Sequence, residues 1–340
     1  MKINKRLLSL FVILSNTGFI LSSNAFEYSE QMQLCLLGQI AKNKPDVSIK
    51  TIKDKCALVV GDNTEEYSRE LSKIELRIAR ERATQSNPSV ITPHKRSYFL
   101  PVTYIEQPNE APFREFPVDG TLDNFEAKFQ ISFKAPIFTN IFNESDIIHM
   151  GFTIQSYWQM YNSDLSSPFR ETNYQPEIFY SMIENKEFEG WHNRIIRFGF
   201  EHQSNGHTQL LSRSWNRLYA QFVFEKDEWV VVFKPWYRLP EKDKIDPNQA
   251  DGDDNPDIHK YMGYFELTTV YQWKSQTLST LFRNNLQSDN TGAIQIDWSF
   301  PMGKRFKGYV QYFNGYGESL IDYDQHIQRL GIGVLLTDFF

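Results

Sequence analysis

The sequence predicts an all-β protein, a 12-stranded antiparallel transmembrane β-barrel with a partly helical N-terminal extension. Three observations predict it. From about Ser97 onward, aromatic and β-branched residues alternate with polar ones at a period of two, in twelve short runs. The connections between runs alternate between tight turns and long loops, as they do in outer-membrane barrels. The chain is 15% aromatic and ends on Phe340, at the close of a run whose Leu330, Ile332, Val334 and Leu336 share one face.

The bulk properties agree. At 340 residues the chain is long for one domain, yet single β-barrels often exceed about 200 residues. A formal net charge of −6 argues against a nucleic-acid-binding surface. With 41% hydrophobic residues the chain is not of the disordered class. Its negative mean hydropathy argues against a helical membrane protein. It does not argue against a barrel, where lipid-facing and lumen-facing residues cancel in any average.

Residues 1–25 read as a signal peptide. Lys2, Lys5 and Arg6 form a basic start, Leu7 to Leu14 a short apolar core, and Ser23-Asn24-Ala25 a small-residue cleavage site. Ser15, Asn16 and Thr17 interrupt the apolar run after eight residues, well short of the ~20 that a spanning helix needs. Residues 26–95 form an extension of different character. Glu65 to Arg82 is charged and free of Gly and Pro, and carries Leu71, Ile74, Leu76 and Ile78, so it reads as a solvated or partner-facing helix. Ser86-Asn87-Pro88 ends it. The chain's two cysteines, Cys35 and Cys56, both lie here, where an oxidising compartment would allow one local disulfide.

Residues 96–340 form the barrel domain. The expected strands are Tyr98–Ile105, Phe125–Ile137, Ile147–Met160, Tyr174–Glu184, Arg194–Ser204 and Ser214–Glu225. They continue as Glu228–Tyr237, Lys260–Gln272, Ser275–Phe282, Gly292–Phe300, Arg305–Phe313 and Ile327–Phe340. Lys226-Asp227, Trp273-Lys274 and Pro301-Met302-Gly303 are tight connections, while Leu239–His259 and Asn314–His326 are long ones. A soluble β-sandwich would also alternate apolar and polar residues. The export signal and the alternating loop lengths favour the barrel.

Arg194 to Ala220 carries the chemistry. At a period of two, Ile196, Phe198, Phe200, His202 and Ser204 share one face, and the apolar character of that face makes it the lipid side. On the next strand Asn216, Leu218, Ala220, Phe222 and Phe224 form the matching row. His202, Ser204 and Asn216 can therefore meet on the outer wall. A serine hydroxyl becomes a nucleophile when an imidazole accepts its proton. A third group that accepts from the other ring nitrogen holds the imidazole in the required tautomer. A lone His-x-Ser pair on a strand is common and usually structural, and polar residues at a strand end can simply sit at the headgroup level. Spacing alone leaves both readings open.

Beyond spacing, the wording of the sequence resembles the outer-membrane phospholipase A family of Gram-negative bacteria. His202-Gln203-Ser204-Asn205-Gly206 and Ser212-Arg213-Ser214-Trp215-Asn216-Arg217-Leu218-Tyr219 carry the likeness. So do Ser166 to Tyr174, Lys234-Pro235-Trp236-Tyr237, Asp254 to Ile258, Lys260 to Tyr264 and Gly315 to Tyr323, in order along Tyr98 to Phe340. The resemblance implies a calcium-dependent serine hydrolase that is active as a homodimer. Ser204 would be nucleophile, His202 general base, Asn216 its orienting partner, and the Gly206 amide an oxyanion donor. The implied calcium ligands are the Ser212 hydroxyl, the His207 main-chain carbonyl and Ser166 from a second subunit, with Asp254 assisting.

Two departures stand out. The position of His207 is commonly Arg in the family, although a carbonyl ligand survives a change of side chain. Thr208-Gln209-Leu210 also lacks an acidic residue associated with the family. The acidic stretch Asp246 to Asp257, taken as residues, is a solvated loop; it lacks the glycine and closing Glu of an EF-hand.

The expected function is hydrolysis of acyl esters of glycerophospholipids (A1/A2 type) in the outer membrane, with lysophospholipids an open further substrate. The alternatives are a passive barrel or porin that kept the fold without activity, and an outer-membrane protease. The protease should carry paired carboxylates on the lumen side or the extracellular rim, whereas these candidates fall on the lipid parity.

Overall fold

A computed structural model describes residues 72–84, 87, 90–113, 120–143, 145–246, 249, 251–303 and 306–339, with positions 32, 35, 36, 51–53, 55 and 56 of the extension. The expected signal peptide, and the first part of the expected helix, lie outside the described residues. Cys35 and Cys56 are joined in a disulfide, with Cα atoms 5.6 Å apart.

Twelve antiparallel strands close on themselves. They are β1 (Ser97–Ile105), β2 (Phe125–Thr139), β3 (Ile147–Trp158), β4 (Phe169–Phe188), β5 (Trp191–Ser204) and β6 (Ser214–Lys226). The others are β7 (Trp229–Arg238), β8 (Phe265–Trp273), β9 (Gln276–Asn284), β10 (Gly292–Met302), β11 (Phe306–Gly315) and β12 (Ile327–Thr337). Each pairs with the next, and β12 pairs back onto β1, with Ile332 opposite Val102. A two-residue segment, Thr92–Pro93, adds to β2. Closure leaves no open edge, so main-chain groups are satisfied within the wall.

The wall is inverted relative to a soluble core. On β12, Leu330 and Ile332 are 54% and 55% exposed, whereas Arg329, on the opposite parity, is inside at 1%. Charged residues fill the lumen and pair there. Arg170 meets Glu126 and Asp322, Arg329 meets Glu126 and Glu318, and Lys128 meets Glu318. An apolar outside and an ion-paired inside exclude the soluble sandwich.

All twelve expected strands are present, with three corrections. The eighth does not begin at Lys260. Ile258–Met262 is a short helix, α2, and the strand starts at Phe265. Ile258 and Met262 lie four residues apart on one helical face and are buried against Trp215, Trp236 and Leu320, so packing at helical spacing overrides the apparent alternation. The fourth strand runs well beyond Tyr174–Glu184 at both ends, and the last stops at Thr337.

Helix α1 (Lys73–Thr84) brings a fourth correction, outside the strands. A charged helix was expected to face solvent or a partner; it lies in the barrel mouth at the short-turn end. Ser72 and Glu75 form a capping box, with the Ser72 N–H donating to Glu75 Oε2 at 2.8 Å and the Glu75 N–H to Ser72 Oγ at 3.3 Å. Ile74 packs on Ile195, Val223, Val230 and Val270. Arg194 Nη1 donates to Glu75 at 2.9 Å, and Lys134 Nζ to Glu81 at 2.7 Å. The charges that suggested a solvated face are matched by lumen charges instead. At the opposite end, α2 and the β11–β12 loop fold inward, and Tyr323 joins the cluster around Trp215 and Trp236.

Candidate active site

The site lies where β5 ends and β6 begins, at the long-loop end. Register places His202 opposite Asn216 and Ser204 opposite Ser214. Parity is as expected: Phe198, Phe200 and Leu218 are exposed on the outer row, while Glu201, Trp215 and Arg217 are buried in the lumen. His202 and Asn216 therefore project outward as a cross-strand pair, a separation that lets side chains touch. His202 Nδ1 lies 2.9 Å from Asn216 Oδ1. Asn216 Nδ2 donates to Glu241 Oε1, also at 2.9 Å. That second bond assigns the amide orientation, because a carboxylate only accepts. His202 Nδ1 is then the protonated nitrogen and Nε2 the base.

Ser204 is half-buried at the last position of β5, and among the described residues no hydrogen bond engages its hydroxyl. Positions two apart on a strand are about 7 Å apart, so closing the His202–Ser204 contact requires the two side chains to lean together. Free sites commonly tighten in this way when substrate arrives.

Asn205 builds the connection that follows. Its N–H donates to the Arg213 carbonyl at 3.1 Å, and its Oδ1 accepts from the Arg213 and His207 amides at 3.0 and 3.3 Å. Its Nδ2 donates to the Leu211 carbonyl at 2.8 Å. Gly206 then takes φ +69, and a Cβ there would meet the Tyr174 ring at 3.2 Å. Asn-Gly is a turn signal, which is how Asn205 could have been found from sequence.

Of the expected metal ligands, the structure brings two together. Ser212 Oγ donates to Asp254 Oδ2 at 2.7 Å, and Ser214 Oγ to the same oxygen at 3.3 Å. Lys244 forms an ion pair with Asp254 Oδ1. Asn255, part of a matching motif but given no role from the sequence, holds this acidic loop to the strand by accepting the Ser214 N–H at 3.0 Å. Arg238 Nη2 donates to both Asp253 carboxylate oxygens at 2.6 Å. His207 turns its ring toward the buried Glu171, with Nε2 3.3 Å from Oε2. Ser166 sits apart on the β3–β4 loop, exposed and at φ +58, and no contact among the described residues joins it to Ser212, His207 or Asp254. No three His, Cys, Asp or Glu side chains cluster among the described residues, so hydroxyl and carbonyl oxygens would supply most of a cation site here. Nearby, Tyr323 donates to Asp257 Oδ1 at 2.8 Å; burial, then that bond, push its phenol pKa up and keep it a donor.

A cavity of about 40 Å³ lies between α1 and the wall, lined by Glu81, Lys134, His149 and Arg197 at the short-turn end. It is remote from Ser204 and has no share in this geometry.

A model of the family described as phospholipase A1 matches residues 74–336. A phospholipase A1 of Klebsiella pneumoniae is 37% identical over 254 residues, covering 75% of this chain and 85% of that protein. Among solved structures, the Salmonella typhi outer membrane phospholipase, a dimer with bound calcium, is 36% identical with a TM-score of 0.69, over 75% of this chain and 94% of that one. An active-site mutant of the Escherichia coli outer membrane phospholipase A, with an asparagine replaced by alanine, is 35% identical with a TM-score of 0.71, over 77% and 98%. Likeness of this extent in both sequence and barrel architecture has one reading: the chain belongs to the phospholipase A1 family.

Proposed function

We propose that this outer-membrane barrel hydrolyses acyl esters of glycerophospholipids through Ser204, His202 and Asn216, with calcium as cofactor and a homodimer as the active form. The observation that carries the reading is the 2.9 Å contact between His202 Nδ1 and Asn216 Oδ1, on the row of the wall that faces lipid. An acyl ester lying in the outer leaflet would meet that row directly. A protease would need its polar groups on the lumen side or the rim, whereas Ile74 of α1 packs on the inner wall at one end and α2 and the β11–β12 loop pack inward at the other. The ion pairs that cross the lumen between Arg170, Arg329, Lys128 and their carboxylates also speak against a passive pore.

In this mechanism Ser204 Oγ attacks the ester carbonyl while His202 Nε2 takes its proton. Asn216 Oδ1 accepts from Nδ1–H throughout and steadies the imidazolium. The Gly206 N–H donates to the oxyanion, the imidazolium returns its proton to the departing lysophospholipid oxygen, and the acyl-enzyme forms. The same nitrogen then activates water, which releases the fatty acid and restores Ser204.

The donor set fits a hard cation, because Ser212 Oγ, Ser214 Oγ and the Asp254 carboxylate converge as oxygens. Ser212, Asp254 and the His207 carbonyl would hold calcium, joined by Ser166 of a second copy. A bound ion would add positive charge beside the oxyanion. The isolation of Ser166 within one chain supports a ligand supplied across a dimer, which would silence the single barrel and keep it from digesting its own membrane.

The test is fatty-acid release from detergent-dispersed phospholipid, with calcium and with excess chelator, for the unsubstituted protein and for Ser204→Ala. Calcium-dependent release that disappears in a folded Ser204→Ala barrel is the expected result. No release by a folded, dimeric protein in calcium would return the chain to the passive-barrel reading.

A further inference from the structure

We infer that Glu241 is a positioning residue, the fourth member of a relay that runs Glu241–Asn216–His202–Ser204; the inference rests on the triad proposed above. It starts from a weakness of asparagine in the third position. The oxygen and nitrogen of an amide are nearly the same size, so Asn216 fits its place in either of two orientations. With Oδ1 toward His202, Nδ1 carries the proton and Nε2 is a base. With Nδ2 toward His202, Nδ1 must accept, Nε2 carries the proton, and the ring cannot deprotonate a serine. A carboxylate in that position would have no such ambiguity. An amide needs something else to choose.

Glu241 makes that choice. Its Oε1 lies 2.9 Å from Asn216 Nδ2, and an ionised carboxylate accepts without donating. Only the orientation with Oδ1 on His202 satisfies both bonds. Glu241 forms no ion pair among the described residues, and Asn216 is its hydrogen-bond donor. Its place is fixed from both sides. Two residues before it, the Leu239 N–H donates to the main-chain carbonyl of Asn216 itself at 2.8 Å; one residue after it, the Lys242 carbonyl accepts from Asp253 N–H at 2.7 Å. Asp253 is in turn gripped by Arg238. The loop after β7 is thereby laid across the start of β6 with one carboxylate on the catalytic amide. That carboxylate also gives the imidazolium a negative charge one side chain away.

The experiment measures kcat and KM on micellar phospholipid in saturating calcium, for the full chain. The variants are Glu241→Ala, Glu241→Gln, Asn216→Ala and Asn216→Ala/Glu241→Ala. Loss of a charge-assisted hydrogen bond predicts a fall in kcat of about 10- to 100-fold for Glu241→Ala, with KM nearly unchanged. Glu241→Gln keeps an acceptor of the same shape and should recover part of the loss. In the Asn216→Ala background, Glu241→Ala should change kcat less than about twofold, because a group that acts through Asn216 has nothing left to act on. A loop residue with a merely structural role would instead lower kcat by a similar factor in both backgrounds, and that result overturns the inference. So does a Glu241→Ala enzyme within twofold of the unsubstituted one while Asn216→Ala is impaired; the triad would then stand without its fourth member. An unimpaired Asn216→Ala removes the triad reading and this one together. Heat-modifiable gel mobility checks that each variant is a folded barrel, and Glu241→Gln carries the test if Glu241→Ala does not fold.

Discussion

The lumen beneath the active site holds a charge whose removal should damage both stability and catalysis. Glu201 is 0% exposed and sits on the inner face of β5, one residue before His202. Arg217, directly across on β6, donates to its Oε1. Its Oε2 accepts from Lys234 at 2.7 Å and lies 3.5 Å from Lys95 Nζ. Replacing Glu201 with Gln keeps the shape and removes the charge, leaving three cations around a neutral amide. Breaking a buried pair by deleting one partner costs about 3–5 kcal/mol. Lys95 keeps a second anion, Glu177, at 3.3 Å, and Arg217 stays stacked 3.8 Å over Trp215, which argues for the lower end, about 3 kcal/mol. Urea unfolding of the barrel in vesicles, followed by tryptophan fluorescence, measures it. The Glu201–Arg217 rung adjoins the His202–Asn216 rung, so kcat should fall as well. Adding Lys234→Met should restore part of the stability by removing one of the stranded cations. A loss below about 1 kcal/mol, or no restoration in the double variant, would refute the view that paired lumen charges hold this end of the wall.

Ile74→Asp puts a carboxylate among Ile195, Val223, Val230 and Val270; α1 should leave the mouth, and limited trypsin digestion should then cut at Arg77 and Arg80 faster than in the unsubstituted barrel. Gly263→Ala should dislodge α2, since Gly263 has φ +66 and a Cβ there would lie 2.3 Å from the Asn284 carbonyl oxygen; the expected readout is lost calcium-dependent activity with unchanged gel mobility of the barrel. Burial by itself would raise the Glu81 carboxyl, but Lys134 and Arg77 outweigh it and hold the group at about 2, below its ordinary 4.5. Its stabilising contribution is therefore full above about pH 4.5 and is lost as pH falls toward 2. Glu81→Gln should lower the thermal midpoint throughout the range above about pH 4.5, flatten its fall between pH 4.5 and 2, and converge on the unsubstituted protein at the acid end.

Most of the wall was legible because a barrel strand writes its two solvents into alternate residues. Phe198, Phe200 and Leu218 mark the outer row by their apolar character alone, and parity puts His202, Ser204 and Asn216 on it. Legibility failed where the governing contacts are non-local. The Ile258–Met262 helix read as strand because its burial is set by Trp215, Trp236 and Leu320, far away in sequence. The charges of α1 read as solvated because nothing local announces that Arg194 and Lys134 wait for them across the lumen. Glu241 had no signal at all. One acidic residue in a charged loop, 25 positions from Asn216, looks like any other until the loop folds back.

The split between Asn216 and Glu241 has a physical logic in where each side chain stands. Asn216 belongs to the outward row with Leu218, where lipid and substrate arrive, while Glu241 stands in the loop beyond the strands. Asn216 is near the strand start, and a carboxylate so close to the interface costs only about 0–1 kcal/mol in desolvation. Burial energy therefore does not by itself select an amide. Charge placement does. A carboxylate at that position would satisfy His202 but set an anion beside the path of phospholipid headgroups, whose phosphates carry the same sign. A neutral amide relays the interaction and leaves the charge behind it, in the Glu241 loop. Asn216→Asp alone should thus perform poorly, because two carboxylates would share one contact. Asn216→Asp with Glu241→Gln should recover turnover on zwitterionic phospholipid more fully than on anionic phospholipid. Equal recovery on both would show that the position of the charge is immaterial, and the amide would then owe its place to geometry alone.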